Sequence, residues 1–182
     1  INIFKIQDLR KRLGFTAMII LIYRLGGVVP VPGIDKVALS SLMSNFENTL
    51  LGLYDMFAGG LFSQASIFAL GIMPYISSSI IIQLLGAMVP YFQRLQKEGD
   101  AGRKKIIQIT RYGTVLIAFM QSVGVAIFLA SYPATPTGPV VPNPGFAFYF
   151  VAILTLVTGT VFVMWLGERI TEYGIGNGIS LI

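Results

Sequence analysis

From Leu53 to Leu85 the chain is apolar with a single charge, Asp55, and no one helix through that run fits a membrane. At 1.5 Å per residue it would be about 50 Å long, against a hydrocarbon core of about 30 Å. The run must break. Gly59-Gly60 is the weak point, since each glycine costs a helix interior about 1 kcal/mol, and Gln64 and Ser66 make the first part a poor lipid-facing span. The expectation is a short, mobile half-helix within residues 54–66, helical from about Tyr54 to Gln64, followed by a true span over 67–90. Pro74 behind Gly71 predicts a helix through Ala69 to Leu85 that bends near its outer end.

Composition places the rest of the chain in the same solvent. It is 54% hydrophobic and 12% charged over 182 residues, where soluble domains carry about 25% charged residues. There is no cysteine for a disulfide or thiolate metal site and no histidine for acid–base work, so neither enzymatic chemistry nor a cofactor is expected. The net charge of +5 argues for topology rather than nucleic acid, because of where the cations fall.

Read in order, residues 1–12 form a basic interfacial lead-in and 13–31 a first span, in which Arg24 snorkels to the far interface. Residues 32–53 are a polar connection, 91–105 a basic loop, 106–132 a third span, 133–145 a proline- and glycine-rich loop and 146–166 a fourth span. Residues 167–178 return, and 179–182 begin a fifth. Lys5, Arg10, Lys11, Arg12, Arg94, Lys97, Arg103, Lys104, Lys105 and Arg169 lie on one side, with only Lys36 clearly on the other. The positive-inside rule makes the first side cytoplasmic. An all-α polytopic membrane protein follows, with four complete spans. The ends read as those of a fragment, without an initiator methionine and with the fifth span barely begun.

In the second span, Ile72, Ile76, Ser79 and Gln83 recur at steps of four, three and four, along one helical face. That face turns from apolar to polar toward the cytoplasmic end, as the wall of a wet cavity with a greasy constriction would. Serines and an amide that glue helices together remain the competing reading.

Two stretches carry a resemblance. Gly71-Ile72-Met73-Pro74-Tyr75-Ile76-Ser77-Ser78-Ser79-Ile80-Ile81-Ile82-Gln83-Leu84-Leu85 resembles the first signature of the SecY family, and Trp165 through Ser180, with Gly174, Gly176 and Gly178, resembles the second. The resemblance implies the N-terminal half of a ten-helix clamshell in the bacterial cytoplasmic membrane, its amino terminus inside. It implies a pore ring at Ile72 and Ile76, and a plug at Met56, Phe57, Ala58, Gly59, Gly60, Leu61, Phe62 and Ser63. It also implies a lateral gate at Ser77, Ile80, Ile81 and Gln83, bordered by residues 117–125, and a partner loop at Arg94, Lys97, Arg103, Lys104 and Lys105. The implied partners are SecE and SecG-type subunits, the SecA motor ATPase or the ribosome, signal peptides, nascent chains and lipid.

From the residues alone other classes stay open. The glycines near Asn177 suggest a phosphate loop, but no strand precedes them. Half of an inverted-repeat secondary transporter would also show broken helices, though usually with charges at mid-membrane. A non-conducting membrane scaffold is the third reading. The segment over 54–66 has its own bland alternative, a re-entrant helix without a gating role.

Overall fold

The structure, a computed structural model, describes residues 7–46 and 49–182, without the side chain of Phe57. The first half of the expected lead-in, with Lys5, and Glu47 and Asn48 of the polar connection lie outside the described residues. Eight helices follow among those described: α1 Gln7–Gly27, α2 Lys36–Ser44, α3 Leu50–Phe57, α4 Met73–Met88, α5 Pro90–Lys97, α6 Asp100–Ser131, α7 Phe146–Tyr173 and α8 Gly178–Leu181. The only β pairing among the described residues is two isolated bridges.

The long helices α6 and α7 are apolar and long enough to cross a membrane alone. Helix α4 has 16 residues, about 24 Å, and counts as a crossing only together with α5, from which it is bent by 98°. Helix α1 carries Asp8, Arg10, Lys11, Arg12 and Arg24 among its 21 residues, so length alone does not make it a lipid-exposed span. Four complete spans were expected; between α3 and α4 the chain is irregular rather than helical.

That irregular segment, residues 58–72, is the centre of the fold. Leu61 and Phe68 pack with Ile19, Tyr23, Val163, Leu166 and Ile170 of α1 and α7. Phe62, Ala65, Ala69 and Leu70 pack in a second cluster with α2, α6 and α7 residues such as Leu39, Leu42, Leu129 and Phe148. Non-helical backbone at membrane depth survives only where its polar groups are satisfied. Here Val31 N–H donates to the Ala65 carbonyl at 2.7 Å and Ile67 N–H to the Val29 carbonyl at 3.0 Å, pairing the exit of α1 with the segment. Ser66, fully buried, accepts from Phe68 N–H at 3.0 Å. Gly159 of α7 lets the Ile67 carbonyl approach so closely that an added Cβ would overlap it.

Several sequence boundaries move, each for a local reason. The half-helix expected over 54–66 ends at Phe57, because Gly59 and Gly60 take positive φ of 69° and 75° and turn the chain back. The second span, expected to be helical from Ala69, starts at Met73. Pro74 occupies the first turn of α4, where a missing N–H costs nothing, so it opens the helix rather than bending it. The basic loop over 91–105 is a helical hairpin: Pro90 starts α5, Gly99 with φ of 68° makes the turn, and Gly102 admits the Leu95 carbonyl against α6. Residues 7–12 are the first turns of α1, and 32–53 holds α2 and the start of α3. Helix α7, expected to end at 166, continues to Tyr173, leaving only 174–177 as connection.

The described cations gather as the charge pattern suggests. Arg12 donates to the Gly174 carbonyl at 3.5 Å, and Arg103 shares a cavity with Glu168 and Asn177, so the start of α1, the start of α6 and the end of α7 meet at one basic end. At the opposite end Asp35 caps α2, accepting from Val37 and Ala38 N–H at 2.8 and 3.0 Å. Lys36 there donates to the Val28 carbonyl at 3.2 Å.

Candidate functional site

Helix α4 presents two different faces. Pro74, Ser78, Ile82 and Gly86, four apart, are buried. Ser78 donates to the Thr110 carbonyl of α6 at 2.9 Å, and Gly113 leaves room for it, since a Cβ there would overlap the hydroxyl. This serine is the helix glue. Its neighbours are not.

The other face runs through Ile72, Ile76, Ser79 and Gln83. Ile72 caps the start of α4 and packs against the cluster that holds Leu61 and Phe68, so Leu61 and Ile72 share one apolar patch. Ile76 is 37% exposed, and Ile80, Ile81, Leu84 and Met88 are open beside it. Toward the basic end, Ser79 and Gln83 line a cavity of about 510 Å³ with Tyr75, Arg103, Arg111 and Glu168; Gln83 also donates to Ser79 at 3.2 Å. The face thus passes from a packed isoleucine, through an open one, to a polar chamber. Ser77 is half-buried.

Of the residues expected to form a plug, Ala58, Leu61 and Phe62 are buried and Met56 is 68% exposed. Ser63 donates to the Gly60 carbonyl at 3.0 Å. Of the basic residues, Arg94 and Lys97 end α5, Lys104 and Lys105 are exposed on α6, and Arg103 alone of the five turns to the cavity.

Sequence reasoning missed the cavity's electrostatic anchor. Arg111 Nε and Nη2 donate to the two carboxylate oxygens of Glu168, both at 2.8 Å. The bidentate pair ties α6 to α7 across 57 positions of sequence, beyond any helical periodicity. It is partly exposed, 51% for Arg111 and 20% for Glu168, so its net worth is about 1 kcal/mol despite ideal geometry. Arg111→Ala and Glu168→Ala are each expected to lower the melting temperature of the purified complex, and a double-mutant cycle should return a coupling of about 1 kcal/mol. Additive losses would show the pair to be energetically idle. A second cation, Arg169, pairs with Glu172 at 2.7 Å and lies 5.5 Å from the Trp165 ring centre and 5.7 Å from that of Tyr173. Among the described residues no cluster of three acidic groups converges as a metal site would require.

A bundle with helices long and apolar enough to cross a membrane, a buried irregular segment and a helix face that runs from isoleucines to a cavity with polar residues belongs to the polytopic helical membrane proteins. Comparison narrows the class. Residues 66–182 match the SecY family, and the chain belongs to that family. It is 53% identical to the protein translocase subunit SecY of Buchnera aphidicola subsp. Acyrthosiphon kondoi over 175 residues, 96% of this chain and 49% of that protein. It is equally 53% identical to that of Escherichia coli (strain K12), covering 96% of this chain and 39% of the relative. The Aquifex aeolicus (strain VF5) subunit is 47% identical, over 99% of this chain and 42% of its own length. The chain therefore spans less than half the length of these relatives. Among solved structures, Sec61 in the canine ribosome-channel complex from the endoplasmic reticulum aligns at a TM-score of 0.60 and 18% identity, over 95% of this chain and 35% of that one. A protein conducting channel aligns at 0.60 and 17%, with the same coverage. At such identities the likeness is one of fold.

Proposed function

We propose that this chain supplies the N-terminal half of a protein-conducting channel, through which secretory polypeptides cross the bacterial cytoplasmic membrane and membrane proteins leave sideways into lipid. The change of character along α4 carries the reading. Ile72 and Ile76 form part of an apolar ring that seals around a moving chain without offering hydrogen bonds that would hold it, and Ser79 and Gln83 face the wet cytoplasmic vestibule. Residues 56–63 plug the pore from outside, and Ser77, Ile80, Ile81 and Gln83 border the lateral gate. The open strip of Ile76, Ile80, Ile81 and Leu84 is the seam against the second half of the clamshell.

The chemistry needs no catalytic group and no cofactor. Energy comes from the SecA motor ATPase or the ribosome, which meets the basic end at the α5–α6 hairpin with Arg94, Lys97, Lys104 and Lys105. SecE and SecG-type subunits complete the complex, and signal peptides are read at the gate. The amino terminus lies in the cytoplasm, by the positive-inside rule. A transporter would place its charged cluster at mid-membrane, whereas Arg111 and Glu168 sit in the cavity at the basic end.

The test is a cysteine at Ile76, in the otherwise cysteine-free segment of the full-length channel, with a stalled secretory chain. A crosslink that forms only with the chain in transit is expected. Silence at Ile76, with Ser77 and Gln83 also silent, would return Ile72 and Ile76 to ordinary packing and bring the transporter and scaffold forward.

A further inference from the structure

We infer that the Asp55 carboxylate is the catch that holds the plug segment folded back, and so sets how readily the channel opens; the gating half of this inference rests on the plug reading above. Asp55 stands in the last turn of α3, where the negative end of the helix dipole disfavours an anion. Something else keeps it there. Its Oδ1 accepts from Phe62 N–H at 3.0 Å and from Ser63 N–H at 3.1 Å, and its own carbonyl accepts from Gly60 N–H at 2.8 Å.

These three bonds close a knot over residues 55–63. The glycine turn at Gly59 and Gly60 aims the following amides back at α3, and one ionised oxygen satisfies both of them. The residues so oriented are the two that commit the segment to the bundle. Leu61, 5% exposed, enters the α1–α7 cluster that also holds Ile72, and Phe62, 3% exposed, enters the cluster beneath α2. Tyr54 braces the same turn, its ring 5.7 Å from that of Phe62 in a T-shaped contact and its hydroxyl donating to the Leu70 carbonyl at 3.3 Å. Pulling the segment out of a pore requires Leu61 and Phe62 to leave together. A charged acceptor on two backbone amides is among the stronger hydrogen-bonding arrangements available, and its removal strands both donors beside buried apolar side chains. Asp55 therefore positions the plug without touching the translocating chain.

The experiment uses the full-length complex in proteoliposomes with Asp55→Ala, Asp55→Asn, Ser63→Pro and a deletion of 56–63, read by ion leak and by amide hydrogen exchange of the 58–66 peptide. Asp55→Ala is expected to speed that exchange about tenfold to a hundredfold and to raise the leak toward that of the deletion. Asp55→Asn keeps an oxygen acceptor and should stay within about threefold of the parent. Ser63→Pro removes one donor and leaves Asp55 untouched, so an intermediate effect is expected and keeps the test alive where Asp55→Ala does not assemble. If the deletion leaks while Asp55→Ala neither leaks nor exchanges faster, the catch is overturned and the plug stands. If the deletion does not leak, the plug reading and the gating role fall together. The exchange data then decide by themselves whether Asp55 holds the turn.

Discussion

Replacing Ile72 and Ile76 together with Asn in the full-length channel is expected to raise its resting ion leak at least tenfold, measured as conductance in planar bilayers. The geometry splits the two positions. Ile76 is 37% exposed on the open face, so Ile76→Asn removes little packing; it should lower stability by less than about 1 kcal/mol while wetting the constriction. Ile72 packs against the Leu61–Phe68 cluster. Its loss should therefore cost about 2 kcal/mol or more of stability as well as raising leak. Asparagine suits the helix-capping position that Ile72 holds at the start of α4, which keeps failure of the helix from mimicking failure of the seal. A tenfold leak corresponds to a barrier lowered by about 1.4 kcal/mol, a modest demand on two side chains. Leu21→Asn, at a position 58% exposed on α1 and away from α4, serves as control. Unchanged leak in the double variant, with the complex intact, would remove Ile72 and Ile76 from the constriction.

What made that face legible in advance was helical spacing. Ile72, Ile76, Ser79 and Gln83 fall on one side of any helix drawn through them, wherever its ends lie. The ends themselves were not legible. Pro74 reads as a bend or as a beginning, depending on whether residues 67–72 are helical. Their fate is decided by partners far off in sequence: the Val29 carbonyl bound by Ile67 N–H and the bare surface of Gly159. Gly59-Gly60 correctly marked a break. That the chain then knots around Asp55 depends on bonds seven and eight residues long, which follow no period. The serines were ambiguous in sequence, and the fold divides them: Ser78 binds α6 while Ser79 opens to the cavity. Glu168 and Arg169 looked like the start of a loop. Each finds a partner, Arg111 for the first and Glu172 for the second, and so charge does not end α7; Gly174 does. Amphipathic pattern thus fixed which residues share a face, and long-range pairing fixed where helices stop.

Gly159→Val is expected to destabilise the assembled complex by about 2 kcal/mol or more, read as a lower melting temperature, and to shift the closed channel toward leak. The argument begins with backbone against backbone. A Cβ at 159 would overlap the Ile67 carbonyl oxygen and crowd the Phe68 ring, and a carbonyl has no rotamer by which to yield. Overpacking of a tight contact costs about 1–3 kcal/mol, and here relief requires residues 65–68 to move off α7. That segment has little freedom, since Val31 and Ile67 N–H hold it to the exit of α1 and Phe68 stacks between Tyr23 and Phe162 at 5.7 and 5.9 Å. Moving it drags the start of α4 and hence Ile72. Gly124 provides the comparison, because a Cβ there meets nothing within 4 Å; Gly124→Ala should gain helix propensity of up to about 1 kcal/mol. A Gly159→Val complex as stable as the parent would mean that the irregular segment is free to slide along α7. The proposed constriction would then have to be held by α4 alone, without the buried chain that precedes it.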